Sequence, residues 1–89
     1  MKELKITIIN TLGLHARASA KFVSTAARFQ SRLDVTKDIK TINGKSIMGV
    51  MMLAANKGSE ILLHIEGPDE TEMLEAIVNL INNRFGEAD

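Results

Sequence analysis

Several short segments of this chain carry apolar residues at alternate positions, and that pattern decides what the rest must do. Leu4, Ile6 and Ile8 alternate with Lys5 and Thr7, and Ile61, Leu63 and Ile65 alternate with Leu62, His64 and Glu66. Leu33 with Val35 marks a further strand, and Thr41-Ile42 a short one, with Lys37 to Lys40 as the hairpin turn between them. Side chains in a strand point to opposite faces in turn, so strands of this kind build a sheet with one dry side. Something apolar must cover that side, and the intervening segments have helical spacing.

From Ala16 to Phe29 the inward stripe reads Ala16, Ala20, Val23 and Ala27, widened by Phe22, Ala26 and Phe29, with Arg17, Lys21, Ser24 and Arg28 opposite. Asn43-Gly44 breaks the chain, after which Ser46 can cap a short helix from Ile47 to about Leu53. Gly67-Pro68 reads as a turn. Asp69 with Glu72 reads as an N-cap pair opening a last helix, with Met73, Ile77, Leu80 and Ile81 inward, that runs to about Arg84. The order is β-α-β-β-α-β-α, which predicts a two-layer α+β sandwich with all three helices on one face of the sheet. At 89 residues there is room for one domain, residues 1–89, and one core.

Composition removes several function classes. Lys plus Arg and Asp plus Glu are 11 each, which gives no basic excess for a nucleic-acid backbone. Three Phe without Trp or Tyr leave few platforms for stacking bases. There is no Cys, and two His without carboxylates at ligand spacing make no metal site. The longest apolar stretch, Val50 to Ala55, is too short to cross a bilayer, so no membrane insertion is expected. Met1-Lys2-Glu3-Leu4 lacks a signal-peptide core, and the cytoplasm is the default location. Gly44-Lys45-Ser46 lacks the glycine-rich stretch of a phosphate-binding loop, no catalytic triad is visible, and no cofactor is called for.

Chemistry concentrates at Gly13-Leu14-His15-Ala16-Arg17, where a glycine-containing loop meets the start of a helix. The first N–H groups of a helix have no internal partners, and with the helix dipole they favour an anion. A phosphoryl group carried on His15 would meet those N–H groups, and Arg17 would add a charge-assisted donor. The same dipole disfavours imidazolium, which helps keep the ring nucleophilic.

The segment Gly13-Leu14-His15-Ala16-Arg17 resembles the active-site signature of the histidine-containing phosphocarrier (HPr) family of the bacterial phosphoenolpyruvate-dependent sugar phosphotransferase system. A second segment, Lys45-Ser46-Ile47-Met48-Gly49-Val50-Met51, resembles the regulatory serine segment of the same family. The resemblance covers essentially the whole chain in length, motif separation and element order. It implies an open-faced sandwich of four antiparallel strands and three helices. It implies that His15 is phosphorylated on Nδ1 by enzyme I and passes the group to a IIA domain, with Arg17 stabilising it during transfer. Ser46 would be the target of an ATP-dependent HPr kinase/phosphorylase. The protein would then be a carrier, completing transfer only with partner enzymes. One residue departs from the family pattern: Ala18 stands where a proline is usual. Proline in the first turn pre-sets φ, so Ala18 bears on loop rigidity and transfer rate more than on the existence of the site.

Phosphate on Ser46 would add negative charge at a positive helix end, so its effect would fall on partners rather than on folding. The short helix is apolar nearly all round, which leaves some side chains in water. Met48 and Met52, with Ile47 and Met51 nearby, are expected to form a partner surface, because flexible Met side chains adapt to several partners. Arg17, Lys21 and Arg28 would form a cationic rim for acidic partner faces. Exposure of both motifs to transient partners points to a monomer. Two other readings use the same residues: a nitrogen-branch carrier with different partners, and a regulatory module acting through Ser46. His64, on the outward phase of its strand, is read as an ordinary sheet-face histidine.

Overall fold

A computed structural model describes residues 1–88. In chain order it contains β1 (Lys2–Thr7), α1 (Ala16–Ala26), β2 (Arg32–Lys37), β3 (Lys40–Asn43), α2 (Ile47–Met52), β4 (Glu60–Glu66) and α3 (Glu70–Asn82), followed by a single 3₁₀ turn at Arg84–Gly86. The four strands form one antiparallel sheet in the order β1-β4-β2-β3. Element order, strand count and open-faced layering are those expected from the alternating pattern.

Register explains the dry face. Leu63 lies opposite Leu4 on one side and Val35 on the other, and Ile65 lies opposite Lys2 and Leu33. Ile61, Leu63, Ile65, Leu33 and Val35 are all buried under the helices. Val50 from α2, Met73, Ile77 and Ile81 from α3, and Phe22 from α1 close the core above them. Burying each such side chain contributes roughly 1.5–3 kcal/mol. The opposite face holds His64 between Glu3 and Asp34 in register, and His64 Nδ1 lies 2.8 Å from Glu3 Oε2. That face is wet, as an open-faced sandwich requires.

Two local readings change. The buried stripe of α1 is Ala18, Ser19, Phe22 and Ala26, whereas Ala16, Ala20 and Ala27 are exposed and Val23 is half-buried. Phe22 sets the phase, since it carries far more apolar area than any alanine, and Ala18 and Ala26 follow at four-residue spacing. Ser19 is tolerated inside because its Oγ donates to Leu14 O at 3.1 Å. The helix ends at Ala26 rather than Phe29.

The second change is at α3. Asp69 is the N-cap residue but makes no side-chain cap bond, so the expected pairing with Glu72 does not form. Its carboxylate reaches across to the segment before β2. There it accepts from Ser31 Oγ at 2.5 Å, Ser31 N at 2.9 Å and Gln30 N at 2.9 Å. These bonds, the Ser31 hydroxyl first, hold the Asp69 carboxyl below its ordinary range. Glu70 instead accepts from Gly67 N and from the N-terminal amine, 2.7 Å away, which ties the start of β1 to the start of α3.

Candidate functional site

His15 is the N-cap residue of α1, with extended backbone (φ −73°, ψ 179°) and no side-chain cap bond. The first bond closing the helix runs from Ser19 N to His15 O at 2.8 Å. The amides of Ala16, Arg17 and Ala18 therefore belong to the open first turn. Ala18 is fully buried, so the residue in the usual proline position packs its methyl group into the core.

The loop before the helix is fixed by glycine. Gly13 has φ +66°, and a Cβ there would fall 2.5 Å from Ala55 O and 2.8 Å from Asn56 Cα. Only glycine allows the loop this close to the backbone that follows α2. Leu14 N then donates to Ala55 O at 2.9 Å, and Leu14 is buried. These two contacts set the direction in which His15 leaves the loop.

The ring of His15 is held from the far end of the chain. Its Nε2 lies 2.5 Å from Glu87 Oε2, and Glu87 Oε1 accepts from Asn10 Nδ2 at 3.0 Å. Asn10 is fully buried and its amide also donates to Gly13 O at 2.9 Å. These two acceptors orient the amide, and its Oδ1 is left as a buried acceptor with no partner among the described residues. The Glu87 carboxyl is held below its ordinary range, first by the His15 bond and further by Asn10 and the charges of His15 and Lys21. An ionised carboxylate can only accept, so a neutral His15 carries its proton on Nε2 and presents a free Nδ1 lone pair.

The route by which Glu87 arrives is unusual. Arg84, Phe85 and Gly86 are consecutive left-handed residues, with φ of 54°, 55° and 77°. For the two that are not glycine this conformation costs roughly 1–2 kcal/mol each. It is held because the Phe85 side chain is buried, and because Lys21 Nζ donates to Phe85 O at 2.6 Å. Lys21 was expected at the rim as a partner cation, and here its ammonium clamps the tail. Its flexible stem reaches the part-buried Phe85 carbonyl 64 positions along the chain.

Arg17 is exposed on the first turn and, among the described residues, makes no side-chain hydrogen bond or ion pair. Ser46 is the N-cap of α2 and its Oγ accepts from Gly49 N at 3.1 Å. Val50 and Leu53 face the core, while Ile47, Met48, Met51 and Met52 are exposed at 45%, 71%, 41% and 59%. Leu12, beside the His15 loop, is 66% exposed and adds an apolar residue that the periodicity did not single out. Arg28 lies over the Phe29 ring, 5.6 Å from its centroid. Among the described residues no three His, Cys, Asp or Glu side chains are grouped to hold a metal ion, and no helix is long and apolar enough to cross a membrane.

Comparison with known proteins gives this geometry its context. The family model of the phosphotransferase-system HPr component phosphorylation site matches residues 2–83. The chain belongs to the HPr phosphocarrier family of the phosphotransferase system. The phosphocarrier protein HPr of Pseudomonas aeruginosa is 56% identical over 90 residues, covering 100% of both chains. The crystal structure of HPr-C-His from Thermoanaerobacter tengcongensis superposes with a TM-score of 0.96 at 49% identity, again over 100% of both chains. A crystal structure of an HPr dimer from the same organism gives 0.79 at 50% identity, covering 98% of this chain and 100% of that one. The residues beyond 83, and so Glu87, lie outside the family match.

The structure places His15 and Arg17 at the start of α1 and Ser46 at the start of α2, and it brings Glu87 and Asn10, which the sequence did not single out, to the His15 ring. The one available signal was Phe85, a large apolar residue beyond the expected end of the last helix, which had to be buried somewhere.

Proposed function

We propose that the chain is a phosphocarrier that accepts a phosphoryl group on His15 Nδ1 from phospho-enzyme I and passes it to IIA domains. The observation that supports this most is the His15 ring itself. It is only half-buried, it stands at the open first turn of α1, and Glu87 occupies Nε2, which leaves Nδ1 as the nucleophile. Amides of that first turn would receive the phosphoryl oxygens. Arg17, free of other partners in the described residues, would supply the charge-assisted donor. The exposed Met48, Met51, Met52 and Ile47, on a helix that packs against α1, would be the docking surface shared by successive partners.

Ser46 is proposed as a regulatory phosphorylation site for an HPr kinase/phosphorylase. A phosphate there would stand at the start of α2, where it favours the helix and places a dianion beside the Met surface. The chain is proposed to act as a single-domain monomer, which sedimentation would check against a dimer of doubled mass.

The test is incubation with phosphoenolpyruvate and a catalytic amount of enzyme I. An acid-labile mass gain of one phosphoryl group is expected, and it should vanish in His15→Ala. No gain, or an equal gain in His15→Ala, defeats the proposal. ATP with the kinase should give an acid-stable adduct that is absent in Ser46→Ala.

A further inference from the structure

We infer that Glu87 is a positioning residue for His15: it fixes the proton on Nε2 throughout the transfer cycle, so that Nδ1 can gain and lose a phosphoryl group without any proton moving. The inference rests on the phosphocarrier reading and adds to it a residue that lies outside the family match.

The geometry is built for one purpose. A carboxylate 72 positions away along the chain meets a ring nitrogen at 2.5 Å, and a fully buried asparagine amide holds its other oxygen. The tail turns through three left-handed residues to bring it there, pinned by the buried Phe85 ring and by Lys21. A loose terminal segment would not adopt that backbone.

The chemistry follows from the tautomer. The Nδ1 lone pair attacks phosphorus, the Nδ1–P bond forms, and the bond from phosphorus to the donor breaks with its electron pair leaving on the donor. The ring becomes a phospho-imidazolium that still carries its Nε2 proton, and the positive charge lies against the Glu87 carboxylate. On transfer outward the Nδ1–P bond breaks, its electron pair returns to Nδ1, and the ring leaves as the same neutral Nε2–H imidazole. A ring kept protonated on Nε2 is the better leaving group. The carboxylate that orients a catalytic histidine in hydrolases acts by the same logic. The titratable groups facing Glu87 are His15, at the N-cap of α1, and Lys21 on α1, and Asn10 from the preceding loop is uncharged.

The experiment compares wild type with Glu87→Gln and Glu87→Ala, full-length in each case. Nitrogen-15 NMR of the unphosphorylated ring reads the tautomer directly. The Nε2–H form is expected to dominate in wild type and to give way to a mixture in Glu87→Ala. In the phosphorylated protein, the pH profile of phosphoryl loss should move to lower pH by about one unit in Glu87→Gln, the shift ordinary for losing one opposite charge at a part-exposed site. Glu87→Gln can still accept from Nε2, so it isolates the charge from the hydrogen bond, and a single cooperative urea transition with unchanged slope shows that the fold is intact. An identical tautomer and pH profile in both variants overturns the inference. If wild type takes up no phosphoryl group the carrier reading fails, while the tautomer comparison still decides the role of Glu87.

Discussion

Replacing Gly13 by alanine should damage the site more than the fold. The new Cβ would fall 2.5 Å from Ala55 O and 2.8 Å from Asn56 Cα, both backbone atoms that cannot rotate away. The left-handed φ of +66° costs an L-residue roughly 1–2 kcal/mol. Relieving the clash means moving the loop off Ala55, which loses the Leu14 N to Ala55 O bond, net about 1 kcal/mol. The total is about 2–3 kcal/mol. For a small domain with a urea slope near 1 kcal/mol/M, the unfolding midpoint should fall by roughly 2–3 M. Even from a starting stability of about 5 kcal/mol, well over nine-tenths of the protein stays folded in buffer. Phosphoryl uptake measured at saturating enzyme I should nonetheless drop by on the order of tenfold to a hundredfold, because His15 leaves this loop and misplacement by about 1 Å is that costly. A midpoint shift under about 0.5 M, or uptake falling only in proportion to the unfolded fraction, refutes the reasoning.

Other perturbations probe separate parts of the account. Phe85→Ala should cost about 3–5 kcal/mol in urea titration, as for a buried aromatic, and should also release Glu87 from the ring, so that the tautomer signal of His15 changes with it. Ser46→Ala removes the bond to Gly49 N and should lower stability by about 1 kcal/mol, whereas Ser46→Asp keeps an N-cap and should lie within a few tenths of wild type. The carboxyls of Asp69 and Glu87 are both held below their ordinary values of 3.8 and 4.5 by groups that the folded state supplies. Their stabilisation is present above those ordinary values and is lost as pH falls through the lower folded ones. Urea midpoints recorded from pH 6 downward should therefore decline below about pH 4–5. In Asp69→Asn part of that decline disappears. Met48→Lys, at a position 71% exposed, should leave stability within about 0.5 kcal/mol yet weaken enzyme I docking, read as a raised KM for the carrier.

How much was legible in the sequence depends on the range of the interaction. The strands could be read because alternation is local: Ile61, Leu63 and Ile65 are each buried where the pattern puts them, although on the edge strand β1 the same pattern leaves Leu4 exposed and Ile6 half-buried. The outward placement of Met48 and Met52 could be read because a six-residue helix on a sheet has only one inner face, here taken by Val50. The phase of α1 could not, because alanines occur on every side of it and the single Phe22 decides the matter through tertiary packing. Asp69 illustrates a different failure. Its residue type fits a cap, but Ser31 and Gln30 across the fold offer its carboxylate three donors at once. Glu87 was the hardest, since nothing local distinguishes it from the other acidic residues, and the turn that delivers it uses a backbone conformation that Arg84 and Phe85 rarely adopt.

The central claim is that Nδ1 of His15 is the phosphoryl acceptor because Glu87 occupies Nε2. Nitrogen-15 and phosphorus-31 NMR of the protein phosphorylated by phosphoenolpyruvate and enzyme I tests it at the atom concerned. The account predicts phosphorus coupled to Nδ1, with Nε2 protonated and bonded to Glu87. Phosphorus coupled to Nε2, or found on another residue, would contradict it.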